Sequence, residues 1–147
     1  MSNEQMRSAV VAEAYSWLRT PYHHHARIKG ERGGVDCLQL LCAVFEAAGV
    51  TPHIETGFYA REHHLHRNEE IYIEGVERYG AVEVQTPGLG DIALFQWGRT
   101  WSHGGVIVAL EPELLLVHSY LGRGVTINKL SEEPLHGHPP RFWSVFR

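Results

Sequence analysis

At 147 residues, with 44% hydrophobic and 20% charged residues, the chain has room for one globular domain with a substantial core. A formal net charge of −4, with no basic run, argues against a nucleic-acid-binding module. No window approaches the roughly 18 apolar residues that a bilayer span requires, so no membrane insertion is expected.

Residues 1–7 are polar and of mixed charge, which is not the form of an export signal. The expected site of synthesis is therefore the cytoplasm, with any other destination reached by a separate carrier. Residues 4–18 place Val10, Val11, Ala14, Trp17 and Leu18 at helical spacing, and Thr20-Pro21 ends that helix because proline disfavours the α conformation before it. Residues 22–34, rich in glycine and charge, read as a loop. Asp36 is a candidate N-cap for an apolar helix over residues 37–48, stopped by Gly49. Residues 51–68 are irregular and rich in His and Arg, and a helix is predicted over residues 69–79 with Gly80 as its stop.

From there the pattern becomes β-rich. Short runs at 81–84, 92–97, 104–110, 114–120, 125–130 and 142–146 are separated by turn signals such as Pro87-Gly88, Glu111-Pro112 and residues 122–124. Helices first and strands second predict one α+β domain over residues 1–147, with an antiparallel sheet of five or six strands packed on helices.

The two cysteines, Cys37 and Cys42, are five residues apart in one predicted helix, about 500° of rotation, so they point apart and are read as free thiols. Cys37 opens the helix. A thiol in the first turn feels the positive end of the macrodipole, which favours the thiolate, and the unpaired N–H groups there can hold an oxyanion. Cys42, in mid-helix among leucines, reads as a core residue.

A nucleophilic thiol needs a base, and the chain has 11 histidines. His103 is set apart by its position before two glycines at the start of an apolar strand, where another backbone or a substrate can come close. His118 lies on the next strand. A tight turn at Glu111-Pro112 pairs Leu110 with Glu113, which sets His103 opposite Tyr120 and His118 opposite Gly105. Side chains alternate along strands, so the two imidazoles share a face as diagonal neighbours. The reading is Cys37 as nucleophile, His103 as general base and acid, and His118 as the group that orients His103.

Asp36-Cys37 at a helix start, the run Ser102-His103-Gly104-Gly105-Val106 at a strand start and His118 on the following strand resemble the NlpC-type cysteine peptidases. The likeness is strongest to the branch found in phage tails and gene-transfer particles. It is carried by Thr20-Pro21-Tyr22-His23, Val35-Asp36-Cys37-Leu38, Ala60-Arg61-Glu62-His63, Pro87-Gly88-Leu89-Gly90-Asp91 and the stretch from His118 to Val125. The resemblance implies a papain-like fold, a Cys-His-His triad and no cofactor. It implies hydrolysis of peptidoglycan stem peptides at a D-glutamyl-diaminopimelate bond, other tail proteins as partners, and delivery by a virion tail. It also implies an oxyanion or substrate-side role for Tyr22, Asp36 and Ser102. Leu38-Gln39 departs from the Ser-Gly that usually follows the cysteine and bears on substrate fit. An amidase or acyltransferase on the same scaffold, or a non-catalytic tail component, are the competing expectations.

Other signals carry less. His23-His24-His25 are consecutive and are not expected to converge on a metal ion. His63, His64 and His66, with Arg61 and Arg67, read as a solvated face or part of a substrate groove. Trp97 and Trp101 flank His103 and are candidates for a cleft wall.

Overall fold

The computed structural model describes residues 1–57 and 71–146. Helix α1 spans Asn3–Ser16 and begins with a capping box: the Ser2 side chain accepts from Gln5 N–H while the Gln5 side chain accepts from Ser2 N–H. Its inner face carries Val10 and Ala14, one helical turn apart and fully buried. Strands β1 (Arg27–Ile28) and β2 (Gly34–Val35) form a two-stranded antiparallel hairpin inside the stretch expected to be loop. The reach is too short for periodicity to signal it, and it closes because Gly33 lets the chain pass against the Ile28 carbonyl, where a Cβ would lie 1.9 Å away.

Helix α2 covers Cys37–Ala47, with Asp36 as its N-cap and Gly49, at φ +77°, just beyond its end. Residues 38–45 are buried all round, because α2 lies between the sheet and α1. Helix α3 spans Ile71–Arg78; the start expected at residue 69 and the histidine-rich stretch containing Ala60, Arg61, Glu62, His63, His64, His66 and Arg67 lie outside the described residues.

Strands β3 (Val82–Val84), β4 (Ile92–Trp97), β5 (Thr100–Ala109), β6 (Leu115–Tyr120), β7 (Gly124–Lys129) and β8 (Pro140–Ser144) make one six-stranded antiparallel sheet in the order β3-β8-β4-β5-β6-β7. The architecture is α+β with helices packed on one face. Strand β8 begins two residues before the predicted run, at Pro140. There it pairs with Phe95, beyond the reach of β3, whose pairing starts at Phe142, so proline's missing N–H costs no ladder bond on that side.

The main core lies between helices and sheet, where Val10, Leu40, Val44 and Tyr72 meet Leu94, Val106, Val117 and Trp143. The far face carries a smaller cluster of Ala93, Phe95, Ile107 and Leu116 capped by Leu135. Each fully buried aliphatic side chain of this kind stabilises the fold by about 1.5–3 kcal/mol.

Two irregularities in β5 position the site. Near the turn Ala109 pairs with Leu115, whereas Ile107 pairs with Leu116, so β5 spends an extra residue at Val108. Opposite β4, Phe95 faces His103 while Gln96 faces Trp101, which leaves Ser102 as a bulge residue immediately before His103.

Candidate active site

Cys37 is held at its place from three directions. The Asp36 carboxylate, only 2% exposed, caps α2 through Oδ1 to Gln39 N–H at 2.8 Å and takes the His25 N–H on Oδ2 at 2.6 Å. Val35 donates to the Pro21 carbonyl and accepts from His23 N–H, so Tyr22 is pinned between two main-chain bonds, beside the residues that lead into Cys37. Ser119, next to His118, donates its hydroxyl to the Val35 carbonyl at 2.7 Å and ties β6 to the head of α2.

The Cys37 thiol donates to the Ser102 carbonyl at 3.8 Å and accepts from the Gly104 N–H. These are the residues on either side of His103, so the helix head and the strand that carries His103 meet at the Ser102 bulge. In this arrangement the sulfur bonds to the main chain of β5, not to the His103 ring. Tyr72 on α3, fully buried, acts on the same sulfur in the direction that favours the thiolate. Nothing in the sequence signals Tyr72, which lies within the helix predicted over residues 69–79.

The register expected for the histidine strands is found: His118 stands opposite Gly105. His103 Nε2 lies 2.8 Å from His118 Nδ1, and His118 Nε2 lies 2.9 Å from Asn128 Oδ1. Asn128, on β7, was not singled out by its sequence context; only the pairing of β6 with β7 brings it within reach. Tyr120 and Trp97 stand edge-on to the His103 ring, with centroids 5.5 and 5.2 Å away. Trp97 in turn stacks on His138 at 3.7 Å. Of the two tryptophans expected beside His103, Trp97 is the one in ring contact with it; Trp101 packs beneath the Arg141 guanidinium.

The electrostatics correct one expectation. Helix-start N–H groups were to favour the thiolate, but burial, reinforced by the Asp36 charge, pushes the Cys37 thiol up to about 12, against the opposing influence of Tyr72 and Gly104. Burial depresses His103 well below its ordinary value, with His118 and His138 adding to the effect. Burial also lowers His118, partly offset by its bond to Asn128. The resting site is therefore a neutral thiol beside neutral imidazoles. Cys42, pushed up to about 11 mainly by burial, is an inert core thiol.

The unusual residues after Cys37 have structural work of their own. Gln39 accepts from Arg27 Nε at 2.8 Å and donates to Thr56 Oγ1 at 3.0 Å, while Arg27 also reaches Glu46 and the Ile54 carbonyl. This network ties β1 and residues 54–56 to α2. Leu38 lines a cavity of about 240 Å³ between α2 and α3, which Cys37, His103 and His118 do not line.

The three consecutive histidines diverge. A Cβ on Gly34 would strike the His23 ring, His24 Nδ1 is 3.8 Å from Asp36, and His25 Nε2 bonds the Gly57 carbonyl at 2.8 Å. Among the described residues no group of three His, Cys, Asp or Glu side chains is arranged to hold a metal ion.

No protein-family model matches the chain. No curated protein sequence matches it either. Solved structures do. The NlpC/p60 domain of the peptidoglycan hydrolase SagA superposes with a TM-score of 0.60 at 19% identity, over 93% of this chain and 96% of that one. The P60 domain of an antigen from M. avium subspecies paratuberculosis gives 0.62 at 16% identity, over 99% and 98%. A lipoprotein-like member of the NLP/P60 family from Staphylococcus aureus gives 0.62 at 16% identity, over 98% of this chain but 42% of that one, so the chain spans less than half of that protein. The chain shares the NlpC/P60 papain-like fold.

Proposed function

We propose that this chain is a cysteine peptidase that hydrolyses amide bonds in peptidoglycan stem peptides, with Cys37, His103 and His118 as its working residues. The observation that carries the reading is the meeting of the α2 head with the Ser102 bulge, beside a hydrogen-bonded His103–His118 pair. The shared fold with NlpC/P60 domains, one of them in a peptidoglycan hydrolase, supports the choice of substrate.

With a neutral thiol and a neutral imidazole, the base acts during attack. The Cys37 proton passes to His103 as sulfur bonds the amide carbonyl carbon; such catalytic hydrogen bonds often tighten only with substrate present. The oxyanion is received by N–H groups in the first turn of α2, with Tyr22 as the accompanying donor. The carbon–nitrogen bond then breaks as His103 gives its proton to the leaving amine. Water next adds to the thioester, His103 takes a proton from it, and the carbon–sulfur bond breaks to return the thiol. Asp36 contributes as the cap that fixes the nucleophile's backbone, and Ser102 through its bulged carbonyl.

The finer reading is a D-glutamyl-diaminopimelate endopeptidase carried in a phage or prophage tail, where it would contact other tail proteins. Its support is the sequence pattern around Tyr22, Cys37 and residues 118–125. The decisive experiment compares wild type with Cys37→Ala on defined muropeptides by mass spectrometry. Cleavage at the D-glutamyl amide by wild type alone is expected; full cleavage by Cys37→Ala overturns the assignment. Turnover of simple amides or esters, with muropeptides left intact, would favour an amidase or acyltransferase.

A further inference from the structure

His103 is 6% exposed and His118 not at all, so bulk water does not choose which ring nitrogens carry protons. The protein must do it, and the choice can be traced outward from the pair. A carboxylate only accepts hydrogen bonds. Glu132 Oε1 lies 3.1 Å from Asn128 Nδ2, so the nitrogen of that amide faces Glu132 and its oxygen faces the sheet. Glu132 is itself held by the Lys129 N–H at 2.8 Å, in a turn that also bonds its carbonyl to the Leu135 and His136 N–H groups.

The Asn128 oxygen can only accept, and it receives Thr126 Oγ1 at 3.1 Å and His118 Nε2 at 2.9 Å. His118 therefore carries its proton on Nε2 and, being neutral, has its lone pair on Nδ1. That lone pair meets His103 Nε2 at 2.8 Å, so His103 donates from Nε2 and keeps its own lone pair on Nδ1. A reversed amide would propagate the opposite pattern and leave a proton on Nδ1, where a base needs none.

We propose that Asn128, oriented by Glu132, is a positioning residue that sets the tautomers of both imidazoles and so presents His103 Nδ1 as the basic nitrogen. The proposal rests on the Cys37–His103–His118 reading of the site. It adds a fourth and a fifth member that touch no reacting atom.

The test reads ring nitrogens by ¹⁵N–¹H correlation NMR of the full chain at neutral pH without substrate, with signals assigned from His103→Gln and His118→Gln. Wild type is expected to show both rings protonated on Nε2. Asn128→Ala should give mixed tautomers and lower kcat on muropeptides by about tenfold or more, with KM little changed. The exchanged pair Asn128→Asp with Glu132→Gln keeps an acceptor facing His118 and a donor facing residue 128, and should restore both readouts. A wild-type His118 protonated on Nδ1 overturns the proposal, whether or not Asn128→Ala folds. Unchanged tautomers and kcat in Asn128→Ala overturn it too. Because the spectra are recorded without substrate, they decide the tautomer whatever Cys37→Ala does to hydrolysis.

Discussion

Gly105 on β5 stands directly opposite His118 on β6, and a Cβ at position 105 would lie 2.9 Å from the His118 Cβ and 2.6 Å from the Val117 carbonyl oxygen. The second glycine after His103 thus makes room for the partner imidazole. Gly105→Ala is expected to push β6 away, cost about 1–3 kcal/mol of stability as overpacking does, and lengthen the His103–His118 bond. Denaturant unfolding and histidine NMR measure the two effects; an unperturbed His118 environment would show that the sheet absorbs the methyl group elsewhere.

The depressed His103 and His118 make stability pH-dependent. Both bind protons more weakly folded than unfolded, so the stability tied to their neutral forms is present above about pH 6.5, the ordinary imidazole value, and is lost as pH falls toward their folded values. Melting temperature should therefore drop on acidification below pH 6.5. The drop should be shallower in His103→Gln/His118→Gln, and equal slopes for the two proteins would refute it.

Asp36 both caps α2 and raises the Cys37 thiol by its charge. Asn is as good a cap, so Asp36→Asn should retain α2 while losing one of the two main-chain bonds, at about 1 kcal/mol. Its Cys37 should become more acidic. Iodoacetamide alkylation at Cys37, followed by mass spectrometry across pH, should show its rise displaced to lower pH.

Tyr72→Phe should act the other way. The Tyr72 hydroxyl favours the Cys37 thiolate, so its loss should raise the thiol further and slow alkylation at a fixed alkaline pH, with circular dichroism unchanged. Faster alkylation would mean that the hydroxyl shields the sulfur instead of polarising it.

Asp91, buried at a tight turn, accepts from Gly88 N–H at 2.7 Å and Arg7 Nη1 at 2.9 Å, which docks α1 on the loop before β4. Arg7→Ala leaves that carboxylate short of a partner and should cost about 1–3 kcal/mol in denaturant unfolding. A loss under half a kilocalorie would make the latch a surface ornament of the fold.

Local signals made much of this molecule readable. Apolar spacing marks α1 and α2, Asp36 and Gly49 bound α2, and short β-rich runs between turn signals mark the sheet strands, because spacing, capping and turn chemistry are properties of neighbouring residues. The pairing of His118 with Gly105 followed from a tight turn expected at Glu111-Pro112, and side-chain parity then put the two imidazoles on one face. The route differed: the turn is one residue longer than expected, and the extra residue at Val108 restores the register. What stayed hidden depends on residues far apart in the chain. The Ser102 bulge exists only against β4, Tyr72 reaches Cys37 only through the packing of α3, and Asn128 reaches His118 only across β7. The proton state of Cys37 belongs with these: the sequence argued from the helix start, where charge is stabilised locally, whereas burial by surrounding elements sets the larger energy and keeps the thiol neutral.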